Sequence, residues 1–286
     1  MHITVNGARL FFDVDGEGLT PDGPRMRQKP TLILLHGGPG GDHSTFKPGF
    51  TDLRDIAQLV YLDHRGNGRS EYTDPATWNL PQWGDDVKAF CDALGITRPI
   101  VLGFSFGGFV AQSYATRHRD HPAGLILLST SPKIEREEIY DTFERLGGLE
   151  ARAVAEARWK TPSRASMDAY RDVCFPLYNP TKSKHPDAAS RTLRNDDVAL
   201  HFAGPDRESS RLDFRADLAR VQCPTLVLAG DADPITPIAR SDVIAACLPQ
   251  HLVQFERFEN AGHGVHIDHP ARAFGLIRSF ISRTGG

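Results

Sequence analysis

A serine near the middle of the chain stands in a pattern that is typical of a catalytic nucleophile. Gly103, Ser105 and Gly107 form a G-x-S-x-G motif, which follows an apolar run at residues 99–102 and precedes a helix-like sequence. In a nucleophile elbow the serine lies on a sharp strand-to-helix turn, and the two glycines leave room that a Cβ atom would fill. Because this motif also arises by chance in glycine-rich chains, the rest of the site must decide its meaning.

A serine hydroxyl is a weak nucleophile, so Ser105 needs a base and the base needs an orienting acid. Behind a nucleophile elbow the acid and then a histidine follow in chain order. The apolar run at residues 225–229 is followed by two carboxylates, Asp231 and Asp233. We favour Asp233 as the acid, because it lies farther past the run and beside two prolines that stiffen the loop. Asp231 is the alternative acid, and its other possible role is to cap the loop or the next helix.

The candidate base is one of the four histidines that follow Asp233, which are His251, His263, His266 and His269. We favour His263, because two glycines flank it and it lies between the last predicted strand and the final helix. His266 is the second choice, whereas His269 is expected at the start of the final helix. A rival interpretation takes this segment as a metal site formed by His263, His266, Asp268 and His269. No predicted strand or helix would hold those side chains together, so we predict no metal.

A tetrahedral intermediate at Ser105 would also need backbone N–H donors, whose loss typically costs about 100- to 1,000-fold in rate. One donor is expected to be the amide of Phe106, the residue after the nucleophile. The second should come from residues 36–41, the loop after the first apolar run. We predict Gly38 as that donor, because a glycine lets the backbone approach the substrate oxygen closely. A phosphate-binding turn is the alternative for this loop, but the Lys-Ser/Thr ending of such a turn is missing.

Continuous apolar runs that alternate with helical patterns predict the scaffold for these residues. The runs indicate strands buried on both faces of a sheet, at residues 31–35, 59–62, 99–102, 124–128 and 225–229. Residues 253–258 are a last strand candidate. Helical spacing of apolar residues appears at 81–94, directly after Ser105, and at 270–282. This alternation predicts an α/β fold with a mostly parallel central sheet that is flanked by helices.

Two parts of the chain depart from this alternation. Residues 2–14 alternate polar and apolar side chains around an Asn-Gly pair and predict an N-terminal hairpin, whereas residues 15–30 predict an exposed loop. Residues 132–212 contain helical patterns but no buried-strand run, and they carry more charge than the 24% of the whole chain. We therefore predict a helical cap at 132–212, inserted into a core formed by residues 1–131 and 213–286.

Composition excludes several classes of protein. The 286 residues are 40% hydrophobic, which suits one large α/β domain with an insertion. A net charge of −3 without a basic stripe argues against a nucleic-acid partner, and no apolar run reaches the roughly 18 residues of a membrane span. The N-terminal residues lack the pattern of a signal peptide. Four scattered cysteines without a C-x-x-C motif fit reduced thiols, so we expect a cytoplasmic protein.

Taken together, the motifs resemble those of α/β-hydrolases and, more narrowly, those of the proline iminopeptidase family. The resemblance lies in H-G-G-P-G-G at residues 36–41, D-H-R-G-N-G-R-S at 63–70 and the elbow at 103–107, with G-x-x-D at 230–233 and G-H at 262–263. It implies hydrolysis of an amide or ester of a small molecule or short peptide through an acyl-enzyme, without a cofactor. The implied catalytic triad is Ser105, Asp233 and His263.

Two departures from the peptidase pattern concern the substrate. The family's peptidases usually have a tryptophan after the nucleophile, where this chain has Phe106, and a cap glutamate that holds the free amine, where this chain has Ala199. Asp196 or Asp197 could replace that glutamate, but exposed helix charge is their expected role. Because desolvating an unpaired ammonium costs several kcal/mol, a carboxylesterase or lactonase is the alternative function. A non-catalytic protein that binds a small ligand is a more distant one. We expect the rings of Phe104 and Phe106 to lie beside the reacting centre.

Overall fold

The computed structural model describes residues 1–285, which contain ten strands. In chain order these are β1 (His2–Val5), β2 (Ala8–Asp15), β3 (Leu19–Asp22), β4 (Arg25–Gln28), β5 (Thr31–Leu35), β6 (Gln58–Leu62), β7 (Ile100–Phe104), β8 (Gly124–Leu128), β9 (Thr225–Gly230) and β10 (Val253–Phe258). Eight strands form the central sheet in the order β1-β2-β6-β5-β7-β8-β9-β10. Strands β5 to β10 are parallel to one another, and β1 and β2 add an antiparallel edge.

Helices cover both faces of this sheet. In chain order they are α1 (Leu80–Ala93), α2 (Phe106–Arg117), α3 (Arg136–Lys160), α4 (Arg164–Val173), α5 (Asp187–Ser190), α6 (Asp196–Phe202), α7 (Glu208–Arg211), α8 (Arg215–Leu218), α9 (Ile238–Cys247), α10 (Val265–Asp268) and α11 (Pro270–Thr284). In β5, Ile33 and Leu35 pack in one apolar cluster with α1, α2 and α9. Leu32 and Leu34 pack in a second cluster with α11 on the opposite face. The strands read as continuous apolar runs because helices bury both faces.

The predicted α/β-hydrolase architecture is confirmed, and the six predicted strands of the central sheet are present to within two residues. The N-terminal hairpin is also present, because β1 pairs antiparallel with β2 around Asn6 and Gly7. The exposed loop expected at residues 15–30 is wrong: β3 and β4 pair there as a separate antiparallel hairpin. Its side chains are mostly exposed on both faces, so no alternation of polar and apolar residues marked it in the sequence.

The segment between β8 and β9, residues 129–224, contains α3 to α8 and, within the part of the chain described, no strand. We call this segment the helical insertion. Its α3 is kinked at Gly148 (φ 75°, ψ −170°), which divides this helix into two halves. The insertion has an apolar cluster of its own, formed by α3, α4 and the residues near them. The division of the chain into core and cap at 132 and 212 stays a prediction.

All four cysteines are free thiols. Among residues 1–285, no helix combines the length and apolar character that crossing a bilayer requires.

Candidate active site

Ser105 occupies the sharp turn between the end of β7 and the start of α2. Its backbone has φ 55° and ψ −117°, a conformation that costs a residue other than glycine on the order of 1–3 kcal/mol. A Cβ atom at Gly103 would lie 2.3 Å from the carbonyl oxygen of Gly107, and one at Gly107 would lie 2.0 Å from that of Leu35. Both positions therefore require glycine, which is the physical reason for the G-x-S-x-G motif.

The neighbouring strand and helix hold Ser105 in this conformation. Its N–H donates to the carbonyl oxygen of Leu128 at 3.0 Å, and its own carbonyl oxygen accepts from the N–H of Gly108 at 2.8 Å. The same carbonyl oxygen accepts from the Thr130 hydroxyl at 2.9 Å. The turn is thus fixed by backbone contacts on both sides, and the serine side chain is left out of them.

His263 and Asp233 lie together, as the chain order predicts. The Nδ1 atom of His263 is 2.8 Å from Oδ2 of Asp233, and both residues are buried. Asp233 also accepts from the N–H groups of Ile235 and Thr236, each at 2.9 Å, and from the Thr236 hydroxyl at 2.6 Å. A donor bond from Nδ1 to the carboxylate leaves Nε2 free to take a proton. The alternative acid, Asp231, is exposed and does not contact His263.

Ser105 and His263 line one cavity of about 810 Å³, together with Gly38. This volume lies within the range of about 300–1,000 Å³ that is usual for small-molecule sites. Within residues 1–285, no hydrogen bond joins the Ser105 hydroxyl to the His263 ring. Such bonds are often long or poorly aligned without substrate and tighten when it binds. The structure therefore brings the two side chains to one site without completing the bond between them.

The two residues predicted to supply the oxyanion donors lie near Ser105. The N–H of Phe106 is at the first position of α2 and has no partner within the helix. The loop of Gly38 also passes close to the serine, since a Cβ atom on Gly37 would be 3.4 Å from Cβ of Ser105. Gly38 itself has φ 140°, which favours glycine. The role of these two N–H groups in catalysis stays a prediction.

The two aromatic rings that flank Ser105 in sequence point to different places. The ring of Phe104 lines the cavity, with its centroid 5.1 Å from that of His263. The ring of Phe106 is 1% exposed and packs against Trp83 and Phe202. The expectation that both rings lie beside the reacting centre is therefore wrong for Phe106, because α2 begins there and directs this side chain into the core.

Residues 30–270 match the protein family described as alpha/beta hydrolase fold. The chain belongs to this family. It is 30% identical to "Proline iminopeptidase PfmaB" of Pestalotiopsis fici, over 98% of this chain and 99% of that protein. It is also 27% identical to "3-oxoadipate enol-lactonase 1" of Acinetobacter baylyi, over 89% of this chain and 94% of that protein. The protein is therefore a hydrolase-family enzyme with peptidase and lactonase homologues.

Solved structures of other α/β-hydrolases have the same fold. A proline iminopeptidase of Mycobacterium smegmatis superposes with a TM-score of 0.76 at 20% identity and covers 100% of this chain and 98% of its own. A thermophilic esterase of Thermogutta terrifontis superposes with a TM-score of 0.74 at 24% identity, over the full length of both chains. At these identities the likeness concerns the fold alone.

In this α/β-hydrolase, the loop at residues 63–70 supports the loop that carries Gly38. Asn67 accepts the N–H of Gly40 at 2.6 Å. Asp63 accepts from the backbone N–H and the ring Nδ1 of His43, at 3.0 and 2.7 Å. Burial opposes ionisation of Asp63, but the bond from His43, the charges of His36 and His43 and the N–H of Arg69 together hold the pKa of this carboxyl below its usual value. The sequence marked this motif without revealing that its role is to position the 36–41 loop.

The helical insertion is attached to the same two loops by Asn195, which sequence reasoning did not single out as a contact. Its N–H donates to the carbonyl oxygen of Gly40 at 2.8 Å, and its side-chain amide donates to that of Gly66 at 2.8 Å. The carboxylate of Asp42 also accepts the N–H of Leu193, at 3.2 Å. These hydrogen bonds fix the insertion, which lines the cavity, in position relative to the loop that carries Gly38.

The residues of the rival metal site have separate partners. His263 binds Asp233, Asp268 accepts from the N–H of Gly262 at 2.8 Å, and His269 bonds the carbonyl oxygen of Glu259 at 2.9 Å. His266 lies against the rings of Phe50 and Phe104. Burial, with the nearby His263, lowers its pKa to about 4. Within residues 1–285 no three His, Cys, Asp or Glu side chains are grouped to hold a metal ion.

The carboxylates at positions 196 and 197 have different surroundings. Asp196 lines the cavity, but it forms an ion pair with Arg171 and lies 3.9 Å from Arg164. Asp197 is exposed and pairs with Arg164 at 2.6 Å. Ala199, which stands where the peptidases have their glutamate, lines the cavity and is buried. The carboxylate that faces this cavity from α6 is thus already neutralised by a cation of the insertion.

Proposed function

We propose that this protein is a serine hydrolase that cleaves an ester, lactone or amide bond of a small substrate through an acyl-enzyme. One observation carries the proposal. Ser105 is held in a strained strand-to-helix turn on the wall of the same cavity as His263, whose ring is bonded to the buried carboxylate of Asp233. A nucleophile, a base and an orienting acid in this order are what acyl transfer requires.

In the proposed reaction, Oγ of Ser105 attacks the carbonyl carbon and His263 Nε2 takes the hydroxyl proton. Asp233 holds the ring in the tautomer that leaves Nε2 free and stabilises the imidazolium. The negative oxygen of the tetrahedral intermediate accepts from the N–H groups of Gly38 and Phe106. Its collapse passes the proton to the leaving group, and a water molecule activated by His263 then hydrolyses the acyl-enzyme.

The charges of the helical insertion favour substrates without a free amine. A substrate ammonium needs a buried carboxylate partner, and Asp196, which faces the cavity, is already paired with Arg171. We therefore place ester and lactone hydrolysis first. Prolyl aminopeptidase activity is the second candidate, because the chain is 30% identical to a proline iminopeptidase over nearly its full length. We also propose that the insertion serves as a cap over the cavity that it lines.

Covalent labelling with a fluorophosphonate tests the nucleophile. The wild-type protein should take up one label, and Ser105→Ala should take up none and lose hydrolysis of 4-nitrophenyl butyrate by a factor on the order of 10⁶. Ser279→Ala, which removes an exposed hydroxyl on α11, is the matched control and should keep full activity. Labelling that persists in Ser105→Ala contradicts the proposal.

A substrate comparison then separates the two candidate activities. The protein should hydrolyse 4-nitrophenyl butyrate with a higher kcat/KM than proline 4-nitroanilide, and the reverse ranking would establish the peptidase. If a broad panel of esters and amides is left intact while a small ligand still raises the Tm, the protein is a ligand-binding member of the fold.

A further inference from the structure

Arg158, a cation on the cavity wall, has no counter-ion within the part of the chain that the structure describes. Arg158 lies in the second half of α3 and lines the cavity that contains Ser105. Its Nη1 atom is buried and has no hydrogen-bond partner among residues 1–285. Buried polar groups are nearly always hydrogen-bonded, and an unpaired buried charge costs several kcal/mol. An unpartnered guanidinium therefore indicates that a group from outside the chain completes this position.

The neighbours of Arg158 do not supply that group. Its guanidinium carbon is 5.2 Å from the centre of the Trp159 ring, a contact worth about 0.5–2 kcal/mol. Tyr170 and Tyr178 also lie near the Arg158 guanidinium. Their hydroxyls share a hydrogen bond of 3.0 Å with each other. Asp196 is engaged by Arg171. Burial lowers the pKa of Arg158, but a guanidinium remains protonated at neutral pH, so the positive charge stays.

Arg158 and the candidate base have a neighbour in common. The ring of Tyr178 packs edge-on against that of His263, with centroids 5.2 Å apart. The carbonyl oxygen of Tyr178 accepts the N–H of His263 at 2.7 Å. A substrate that reaches Ser105 and His263 therefore meets the part of the insertion that holds Arg158.

The insertion as a whole adds more positive than negative charge to the cavity. Four of its cationic side chains and one of its anionic side chains line the wall, and they are Arg158, Arg171, Lys184, Arg194 and Asp196. Of these, Arg171 and Asp196 neutralise each other. The core adds Lys47, Arg278, Asp42 and Asp52 to the lining, two charges of each sign. The cavity as a whole therefore stays cationic, which attracts an anion and opposes an ammonium.

We propose that Arg158 binds a carboxylate of the substrate, so that this hydrolase acts on acyl compounds that carry a carboxylate besides the bond that is cleaved. The inference rests on the proposed hydrolysis at Ser105 and names its substrate class. A carboxylate fits the planar guanidinium with two parallel hydrogen bonds. It would satisfy Nη1 and balance the cationic wall.

Two esters of equal chain length test the proposal. Mono-4-nitrophenyl adipate carries a carboxylate at the end of its acyl chain, whereas 4-nitrophenyl hexanoate carries a methyl group. In Arg158→Gln, kcat/KM for the adipate ester should fall about 30-fold or more, mainly through KM, because a buried charge pair is lost. Hydrolysis of the hexanoate ester should stay within about threefold, and Arg158→Lys should recover part of the loss. The matched control is Arg145→Gln, which changes an exposed arginine on the same helix outside the cavity. It should leave kcat/KM for both esters unchanged.

A second pair locates the carboxylate on the substrate. The hexanoate esters of 4-hydroxybenzoate and of 4-hydroxybenzamide place the charge or its neutral counterpart on the leaving group. If Arg158→Gln discriminates only within this second pair, the carboxylate belongs to the leaving group and the proposal stands. An equal loss on the charged and neutral members of both pairs overturns it, because Arg158 would then act only through the fold.

Failure of this inference is distinguishable from failure of the proposed function. If the wild-type protein hydrolyses the esters and Arg158→Gln affects charged and neutral ones alike, only the carboxylate site is wrong. If it hydrolyses none of them, the proposed function fails and calorimetric titration decides the site. Adipate that binds the wild type at least tenfold more tightly than Arg158→Gln, with adipamide binding both equally, supports the site. Equal affinities for adipate refute it.

Discussion

The two walls of the cavity differ in the interactions that define them, which are close backbone packing on the core side and charged side chains on the insertion side. The core wall includes the Ser105 turn, where backbone packing forbids a Cβ atom at the flanking glycines, and the loop at 36–41, which buried hydrogen bonds fix to the loop at 63–70 behind it. The insertion wall carries charges whose pairing varies from Asp196, which is neutralised, to Arg158, which is not. From this difference we expect the core wall to set the reaction and the insertion wall to select the substrate.

After the loss expected for Ser105→Ala, the largest effect lies on the core side, in Asp233→Asn. Loss of the carboxylate leaves His263 in the wrong tautomer, so kcat for 4-nitrophenyl butyrate should fall about 10⁴-fold. Asp231→Asn changes the exposed carboxylate two residues earlier and should leave kcat unchanged. Equal losses in the two variants would remove Asp233 from the triad.

The next effect concerns stability beside the cavity and its dependence on pH. The folded-state pKa of His266 is lowered to about 4 from 6.5, so below pH 6.5 the unfolded chain binds a proton that the folded chain does not. His266 should therefore lower the free energy of unfolding as the pH falls from 6.5 to 4, by about 3 kcal/mol in full. Burial lowers the pKa of His36 and His64 in the same direction.

Urea unfolding at pH 7 and pH 5 measures this dependence. His266→Gln should show a shallower loss of stability between the two pH values than the wild type. The matched control, His251→Gln, removes an exposed histidine and should leave the slope unchanged. An unaltered slope in His266→Gln would mean that this ring does not stay neutral in the folded state.

The smallest expected effects are those of substitutions at Phe106 and Ala199, the two positions that depart from the peptidase pattern. Phe106→Trp enlarges a buried side chain and should destabilise the fold by about 1–3 kcal/mol. It should leave the ratio of ester to proline 4-nitroanilide hydrolysis unchanged, because this ring does not line the cavity. Ala199→Glu adds a carboxylate to the cavity wall and should lower that ratio. If Phe106→Trp changed this ratio, the core wall would also take part in selecting the substrate.

Much of the site could be predicted from the sequence because its requirements are local. Glycine is needed at 103 and 107, because a Cβ atom there would lie 2.3 and 2.0 Å from backbone carbonyl oxygens. Such requirements leave a fixed pattern along the chain. The buried strands read as apolar runs for an equally local reason. The hairpin of β3 and β4 was missed, since its exposed side chains carry no such pattern.

By itself, the sequence determined the fold class, the candidate nucleophile and the order of its candidate partners, because steric limits and chain order follow from neighbouring residues. Only the tertiary structure showed that Asp233 rather than Asp231 meets His263, that the Phe106 ring turns into the core, and that Asp196 is neutralised while Arg158 is not. Arg171 and Asp196 are 25 residues apart. Pairing over such distances depends on how the insertion helices pack, and no local pattern records it.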